Sequence, residues 1–484
     1  MARPSRTASS TRALLTIWLV IAIGYITLIP VSNNVVLYSL LLSLGIIAGI
    51  SIIRDGLTIN SVLLVPATIW ITFVAYGIAV AILRGAESWP RTLVFLLLWP
   101  VFYFVLVVGF KRFLVKIIFY VGAFITLAIS ILFLLTGLAA LGHTPFDSLP
   151  VWITAPIGLR YVTDDTGAVA LTAHSLPPLM WWGAMWIASL AVSKRDLYLP
   201  PLWIRLLAGS FAIAASVVAW RRAIVIVLVL VPLVMLVIWL LLRVKNGTSL
   251  PRARTRFRPV VFRVCACFVL AGALSIGVQT QLSSMVTNGV QSVGTVMGFD
   301  TSGLSTAELD ASQKPALISE DDRLADKIRQ NELASLTLPK SLPDAVFGHG
   351  IGASFNRQGV IRDMKPWQTE LQYHGMYYWT GFIGLMFLIA TLVTSVRAMR
   401  YAFRLSDSLR GVLFVSCIGG AATLIGNATN PYFQAPGHMW PVFFPFMIAC
   451  VILASERSEN APVRQLSIRF GRNKRDAVMN GESP

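Results

Sequence analysis

The sequence is short of charge: only 13% of its 484 residues are Asp, Glu, Lys or Arg, while 56% are hydrophobic and the mean hydropathy is +0.71. Soluble globular domains carry about 25% charged residues, so the composition excludes that class and predicts a polytopic membrane protein. Acidic residues are the scarcer sign, 22 against 40 basic, and none falls in the middle of an apolar run. Proton-coupled transporters usually need carboxylates there, which weighs against transport. Cysteine is nearly absent as well. Cys265, Cys267, Cys417 and Cys450 all lie in apolar stretches, so no disulfide framework is predicted, and Cys265 with Cys267 reads as packing. The formal charge of +18 would point to nucleic acid in a soluble chain. Here Lys and Arg sit in short runs between apolar segments, a topology signal that predicts no nucleic-acid partner.

About 20 apolar residues cross a bilayer, and against that length twelve segments qualify. They are Ala13 to Pro30, Val35 to Ile53, Ser61 to Leu83, Thr92 to Phe110, Val115 to Leu141, Leu171 to Val192, Leu202 to Ala219, Ala223 to Leu242, Arg263 to Val278, Met376 to Val396, Gly411 to Gly426 and Met439 to Leu453. The expected fold is an all-α polytopic membrane protein of about twelve transmembrane helices, with a long extracytoplasmic loop carrying short helices. Residues 1–278 hold nine spans, 279–375 the long loop, 376–455 three spans and 456–484 a basic tail. Arg3, Arg6 and Arg12 precede the first run without a small-x-small cleavage site, so it reads as a retained span.

The stretch Leu202 to Leu242 is almost unbroken apolar sequence. One helix of that length would extend roughly 60 Å, twice the hydrocarbon thickness, and would bury Arg221 and Arg222 at its middle. A hairpin turning at Trp220-Arg221-Arg222 is predicted instead. With both termini placed in the cytoplasm, 27 of the 40 basic residues fall on the cytoplasmic side. Five fall in the short outer loops and 8 in the long one, the asymmetry of the positive-inside rule. The basic loop Arg243 to Arg263 and the tail are expected to touch anionic membrane lipids.

Two outer segments have loop composition. Gly142 to Ala170 is short, whereas Gln279 to Thr369 carries 10 of the 22 acidic residues. In the latter a Gly/Ser/Thr-rich linker leads to a helix opened by a capping-box-like Ser319-Glu-Asp-Asp322 and closed near Pro339. No inverted repeat of the transporter kind is present.

The candidates for chemistry lie on the outer side, as do all five histidines, His143, His174, His349, His374 and His438. Arg221 and Arg222 sit at the rim of two spans, where a guanidinium fork matches phosphate oxygens; the competing reading is snorkelling to ordinary headgroups. Arg323, Lys327 and Arg329 share the loop helix, but Arg323 and Arg329 point to different faces. Gly348-His-Gly-Ile-Gly352 has glycines at alternate positions without the strand-to-helix context or lysine of a phosphate loop. It reads as a tight bend packed on membrane helices, and His349 within it reads equally as structural or catalytic. Glu370 and His374 are four apart and share a helical face, a proton acceptor with its orienting partner or an interfacial cap.

In this order the clusters resemble the bacterial O-antigen ligase and O-antigen polymerase superfamily of membrane glycosyltransferases. The matching residues are Arg221 or Arg222, Arg323 and Arg329-Gln330, Gly348 to Gly352, and Glu370 through Gly381-Phe-Ile-Gly384, covering roughly Trp220 to Ala390. Where ligases of that family place a His, this chain has Glu370, which favours the polymerase branch. The resemblance implies a polyprenyl-diphosphate-linked glycan as donor in the bacterial inner membrane, its diphosphate held by Arg221, Arg222, Arg323 and Arg329. Glu370 or His374 would deprotonate the acceptor hydroxyl. Arginine charge would stand in for a metal, in keeping with the lack of any Asp-x-Asp motif, so no metal and no cofactor are expected. Chain-length regulator or export proteins are the implied partners. Ligase-type transfer to a lipid acceptor and polysaccharide or lipid transport are the alternatives.

Overall fold

In hydrocarbon every backbone N–H and C=O must be paired within its own segment, so long apolar runs fold as helices. The computed structural model describes residues 6–29, 35–55, 59–140, 149–163, 169–173, 175–219, 222–242, 253–276, 341–354, 371–405, 407–428, 433 and 435–459. The expected loop helix from Ser319 and most of 279–375 lie outside them.

The described helices are α1 Arg6–Leu28, α2 Val35–Asp55, α3 Ser61–Arg84, α4 Trp89–Gly109, α5 Arg112–Ala140, α6 Val151–Ile157, α7 Leu176–Ser189, α8 Leu202–Val218 and α9 Arg222–Leu242. They continue as α10 Ala253–Ile276, α11 Leu342–Phe347, α12 Gln372–Arg404, α13 Arg410–Gly426 and α14 Pro436–Glu459. Eight, namely α2, α3, α4, α5, α9, α10, α12 and α14, are long and apolar enough to cross a membrane. The chain is a multi-pass, helical membrane protein. Three further apolar helices are shorter: Leu14–Leu28 within α1, α8 and α13.

Several helices run past the expected spans, α10 starting at Ala253 inside the expected basic loop and α12 ending at Arg404, and two differences bear on the outer segments. Residues 171 and 172, placed in the sixth span, belong to a strand: Arg160–Thr163 (β1) pairs antiparallel with Val169–Thr172 (β2), Arg160 opposite Thr172. β-Branched residues on both sides of an Asp-Asp-Thr-Gly sequence favour that hairpin, and Pro177 and Pro178 hold the helix start back to Leu176. The tenth span likewise begins earlier, at Gln372, so His374 rides on the helix. The expected break between the seventh and eighth spans is present: α8 ends at Val218, α9 begins at Arg222, and the two pack together.

At the centre lies α7, nearly all of it buried although at 14 residues it is only about 21 Å long. Trp182 and Trp186 stack at 5.6 Å on its one face, and Phe119 meets both edge-on. Their indole N–H groups donate to Thr27 Oγ1 and Thr126 Oγ1 at 3.3 and 3.0 Å, so the buried donors are satisfied.

The last turn of α7 is closed by arginines. The fully buried Arg205 donates to the carbonyls of Pro200, Ser189 and Ser193 at 2.7, 2.9 and 3.1 Å, and Arg263 donates to Leu190 O at 3.1 Å. Cations at a helix C-terminus complement its dipole as well as its unpaired carbonyls. At the same end Arg112 grips Asp407 with two hydrogen bonds of 3.1 and 2.8 Å and donates to Tyr198 Oη at 2.8 Å. Ser455 donates to the same carboxylate at 3.2 Å. The start of α5, the α7–α8 and α12–α13 connections and the end of α14 therefore meet at one end, here called the clamp end. The opposite end gathers the close of α3 and the starts of α4, α9, α12 and α14.

Candidate functional site

Helix α12 is interrupted at that opposite end. Gly381 has φ 59° and ψ −161°, a combination outside the helical region that only glycine adopts readily. A break of this kind frees carbonyls of the preceding turn, and buried carbonyls need donors. Tyr378 O accepts from the His349 backbone N–H at 3.0 Å, and Trp379 O from Gly350 N–H at 2.8 Å. The Tyr76 hydroxyl of α3 lies 3.2 Å from Thr380 O and 3.0 Å from Phe347 O, its one proton shared between them.

The donors come from residues 348–352, which enter as a wedge between α3 and α12. Gly350 has φ 90°, and a Cβ there would meet the backbone of Ala81. Gly381 is equally tight, since a Cβ would sit 2.5 Å from Val346 O. Ile351 is fully buried against Gly77 and donates its N–H to Gly77 O at 3.4 Å. Trp379 Nε1 and the Tyr378 hydroxyl donate to Ala353 O and Ser354 O at 3.1 and 3.0 Å, closing the wedge from the other side. The expectation of a tight bend packed on membrane helices holds. With the N–H groups of Gly348, His349, Gly350, Ile351 and Ala353 all spent on protein carbonyls, little of this loop is left to cradle a phosphate.

The wedge carries a polar cluster to the rim. Ser341 caps α11, accepting from the Asp344 N–H at 3.3 Å, and fixes the first turn that bears Asp344. Asp344 Oδ1 lies 3.3 Å from Arg84 Nη1 at the end of α3, and Oδ2 lies 3.8 Å from His349 Nε2. The His349 ring stacks on Tyr378 with centroids 4.2 Å apart and planes 9° apart, and its Nδ1 is 3.2 Å from Tyr378 O. His374 precedes Tyr378 by one helical turn, so both project from the same face of α12.

Of the residues expected to act, Glu370, Arg221, Arg323 and Arg329 lie outside the described residues, and of Arg222 only the backbone is described, as the first residue of α9. Helices α9 and α12 pack together and both begin at this end, so the Arg222 position and His374 open neighbouring helices. His374 is half-buried, and its Nδ1 is buried without a hydrogen-bond partner. Beside it the Tyr373 hydroxyl donates to Leu424 O at 2.7 Å, tying the first turn of α12 to the end of α13. His349 and His438 lie at the same end.

Sequence reasoning missed Tyr76, Arg84 and Asp344. Only Asp344 left a trace, in Ser341-Leu-Pro-Asp344, a cap residue followed by proline and an acid in the first turn. Among the described residues no three His, Cys, Asp or Glu side chains gather as a metal site requires. No protein-family model matches the chain, and no curated protein matches it.

Proposed function

We propose that this protein is a membrane glycosyltransferase of the bacterial inner membrane. It takes a polyprenyl-diphosphate-linked oligosaccharide as donor and joins repeat units into a polysaccharide on the outer face. In this reading the three shorter apolar helices, α1, α8 and α13, and the buried α7 also cross the membrane, giving twelve spans with both termini cytoplasmic. Arg221, Arg222, Arg323 and Arg329 hold the diphosphate, whose charge grows as the sugar–phosphate bond breaks. A group at this rim takes the proton of the acceptor hydroxyl, Glu370 and His374 being the candidates the sequence offers.

The observation that carries this reading is the shared origin of α9 and α12. The Arg222 position and His374, a half-buried imidazole whose Nδ1 is unclaimed, open two neighbouring helices at the end that gathers His349, His374 and His438, which supports this reading. Fixed positive charge next to a proton acceptor is what transfer from a lipid diphosphate needs.

Reconstitution in proteoliposomes with a polyprenyl-diphosphate oligosaccharide tests it. Wild type is expected to yield long products, and Arg222→Ala to cut the rate about 10²-fold, as loss of one charge-stabilising donor does. Single transfer to a second lipid would identify a ligase. Donor that is never consumed, or variants indistinguishable from wild type, would defeat the proposal.

A further inference from the structure

We infer that His349 is the proton acceptor for the incoming hydroxyl, held in place by Asp344 and Arg84. The inference rests on the transfer reading above and names its base.

Tautomer comes first. Tyr378 O can only accept, so the 3.2 Å contact from Nδ1 requires the ring proton on Nδ1. The lone pair of the neutral ring is then on Nε2. That nitrogen is 3.8 Å from Asp344 Oδ2, too far for a hydrogen bond yet near enough for charge. The lone pair is therefore unspent, and once it takes a proton the carboxylate stabilises the resulting imidazolium. Asp344 is oriented by its other oxygen, 3.3 Å from Arg84 Nη1, and by the Ser341 cap at the start of its helix.

Position and rigidity agree with this role. The His349 side chain keeps 27% exposure while Asp344 keeps 12%, so the imidazole faces the rim and the carboxylate backs it. Stacking on Tyr378 and the hydrogen bonds of the wedge fix the ring within a built backbone, the preorganisation that a base requires. Tyr378 lies about 6 Å along the helix from His374, so His349 borders the same face.

The step balances without a further reactant. The acceptor O–H bond breaks and its proton passes to His349 Nε2. The oxygen pair forms the new bond to the anomeric carbon, and the sugar–phosphate bond leaves with its electrons on the lipid diphosphate.

The test uses the full-length protein in proteoliposomes with the polyprenyl-diphosphate oligosaccharide. His349→Ala is expected to lower kcat by about 10²-fold or more with KM little changed, and added imidazole to restore part of the rate. Asp344→Asn is expected to lower kcat with KM held, without imidazole rescue, as a positioning residue should. Modification by diethyl pyrocarbonate, read by mass spectrometry, gives a second measure: His349 should label ahead of His438, both of whose ring nitrogens are buried. Wild-type transfer that survives His349→Ala within about threefold overturns the base alone and leaves the transfer reading standing. A wild type that never consumes donor overturns both. A folded His349→Ala protein that is inactive and never rescued assigns the residue a structural part and also overturns the inference.

Discussion

The two ends of the bundle are held by different physics. At the clamp end long side chains reach across: Arg112 to Asp407, Arg205 and Arg263 to the carbonyls closing α7. At the wedge end the backbone itself makes the joints, with loop N–H groups entering a broken helix and glycines removing every Cβ that would stand in the way. Side-chain bridges tolerate small shifts, because a guanidinium fork can follow its carboxylate. Backbone joints at van der Waals distance tolerate none. The difference teaches where the molecule needs accuracy: the clamp end fixes connectivity, and the wedge end fixes the position of His349, Tyr378 and His374 relative to one another.

Gly350→Ala is the strongest way to break this contrast. The added Cβ would enter the backbone of Ala81 and also occupy φ 90°. Strain and overpacking together are expected to cost about 3 kcal/mol or more. The measurement is Tm of the purified protein in detergent, with yield in the membrane beside it. An unchanged Tm would mean that the wedge is not seated between α3 and α12.

At the other end Asp407→Asn is expected to cost less, about 1–2 kcal/mol, although it disrupts a bidentate pair and the contacts from Ser408 and Ser455. Arg112 is 39% exposed, so water takes up much of its released charge. A double-mutant cycle with Arg112→Gln should return a coupling of about 1 kcal/mol that weakens as salt is added. A loss as large as that at Gly350 would erase the distinction between the ends.

Much of the bundle was legible because its signal is local. Apolar runs of span length gave the helices, and the arginine pair within Leu202 to Leu242 gave the break between α8 and α9. The alternation of glycine in 348–352 pointed to close packing on helices. What escaped was pairing over distance. Tyr76 meets Phe347 across 271 positions and Arg112 meets Asp407 across 295, and a single tyrosine or arginine on an apolar helix carries no mark of its partner. The β1–β2 hairpin was hidden for another reason, since Val169 to Thr172 is apolar enough to merge with the helix that follows. The kink at Gly381 is half visible: Gly381 and Gly384 stand out in the sequence as a pair, yet nothing nearby distinguishes the one that leaves the helix.

The smallest expected effect is the one that separates strain from packing. Gly85 ends α3 in the left-handed conformation, φ 68° and ψ 32°, its N–H directed at Ala81 O and Ile82 O. Its φ sign is that of Gly350, but a Cβ added there would meet nothing within 4 Å. Gly85→Ala therefore keeps the conformational cost and removes the steric one. Left-handed backbone costs an ordinary residue about 1–2 kcal/mol, and the stiffer unfolded chain returns about 0.4–1 kcal/mol of it. A net loss of about 1 kcal/mol or less is expected in the same detergent melt, and Gly85→Asn should lose less still. If Gly85→Ala and Gly350→Ala fell equally, backbone conformation alone would set the tolerance of the wedge end, and the close approach of the loop to Ala81 would contribute nothing.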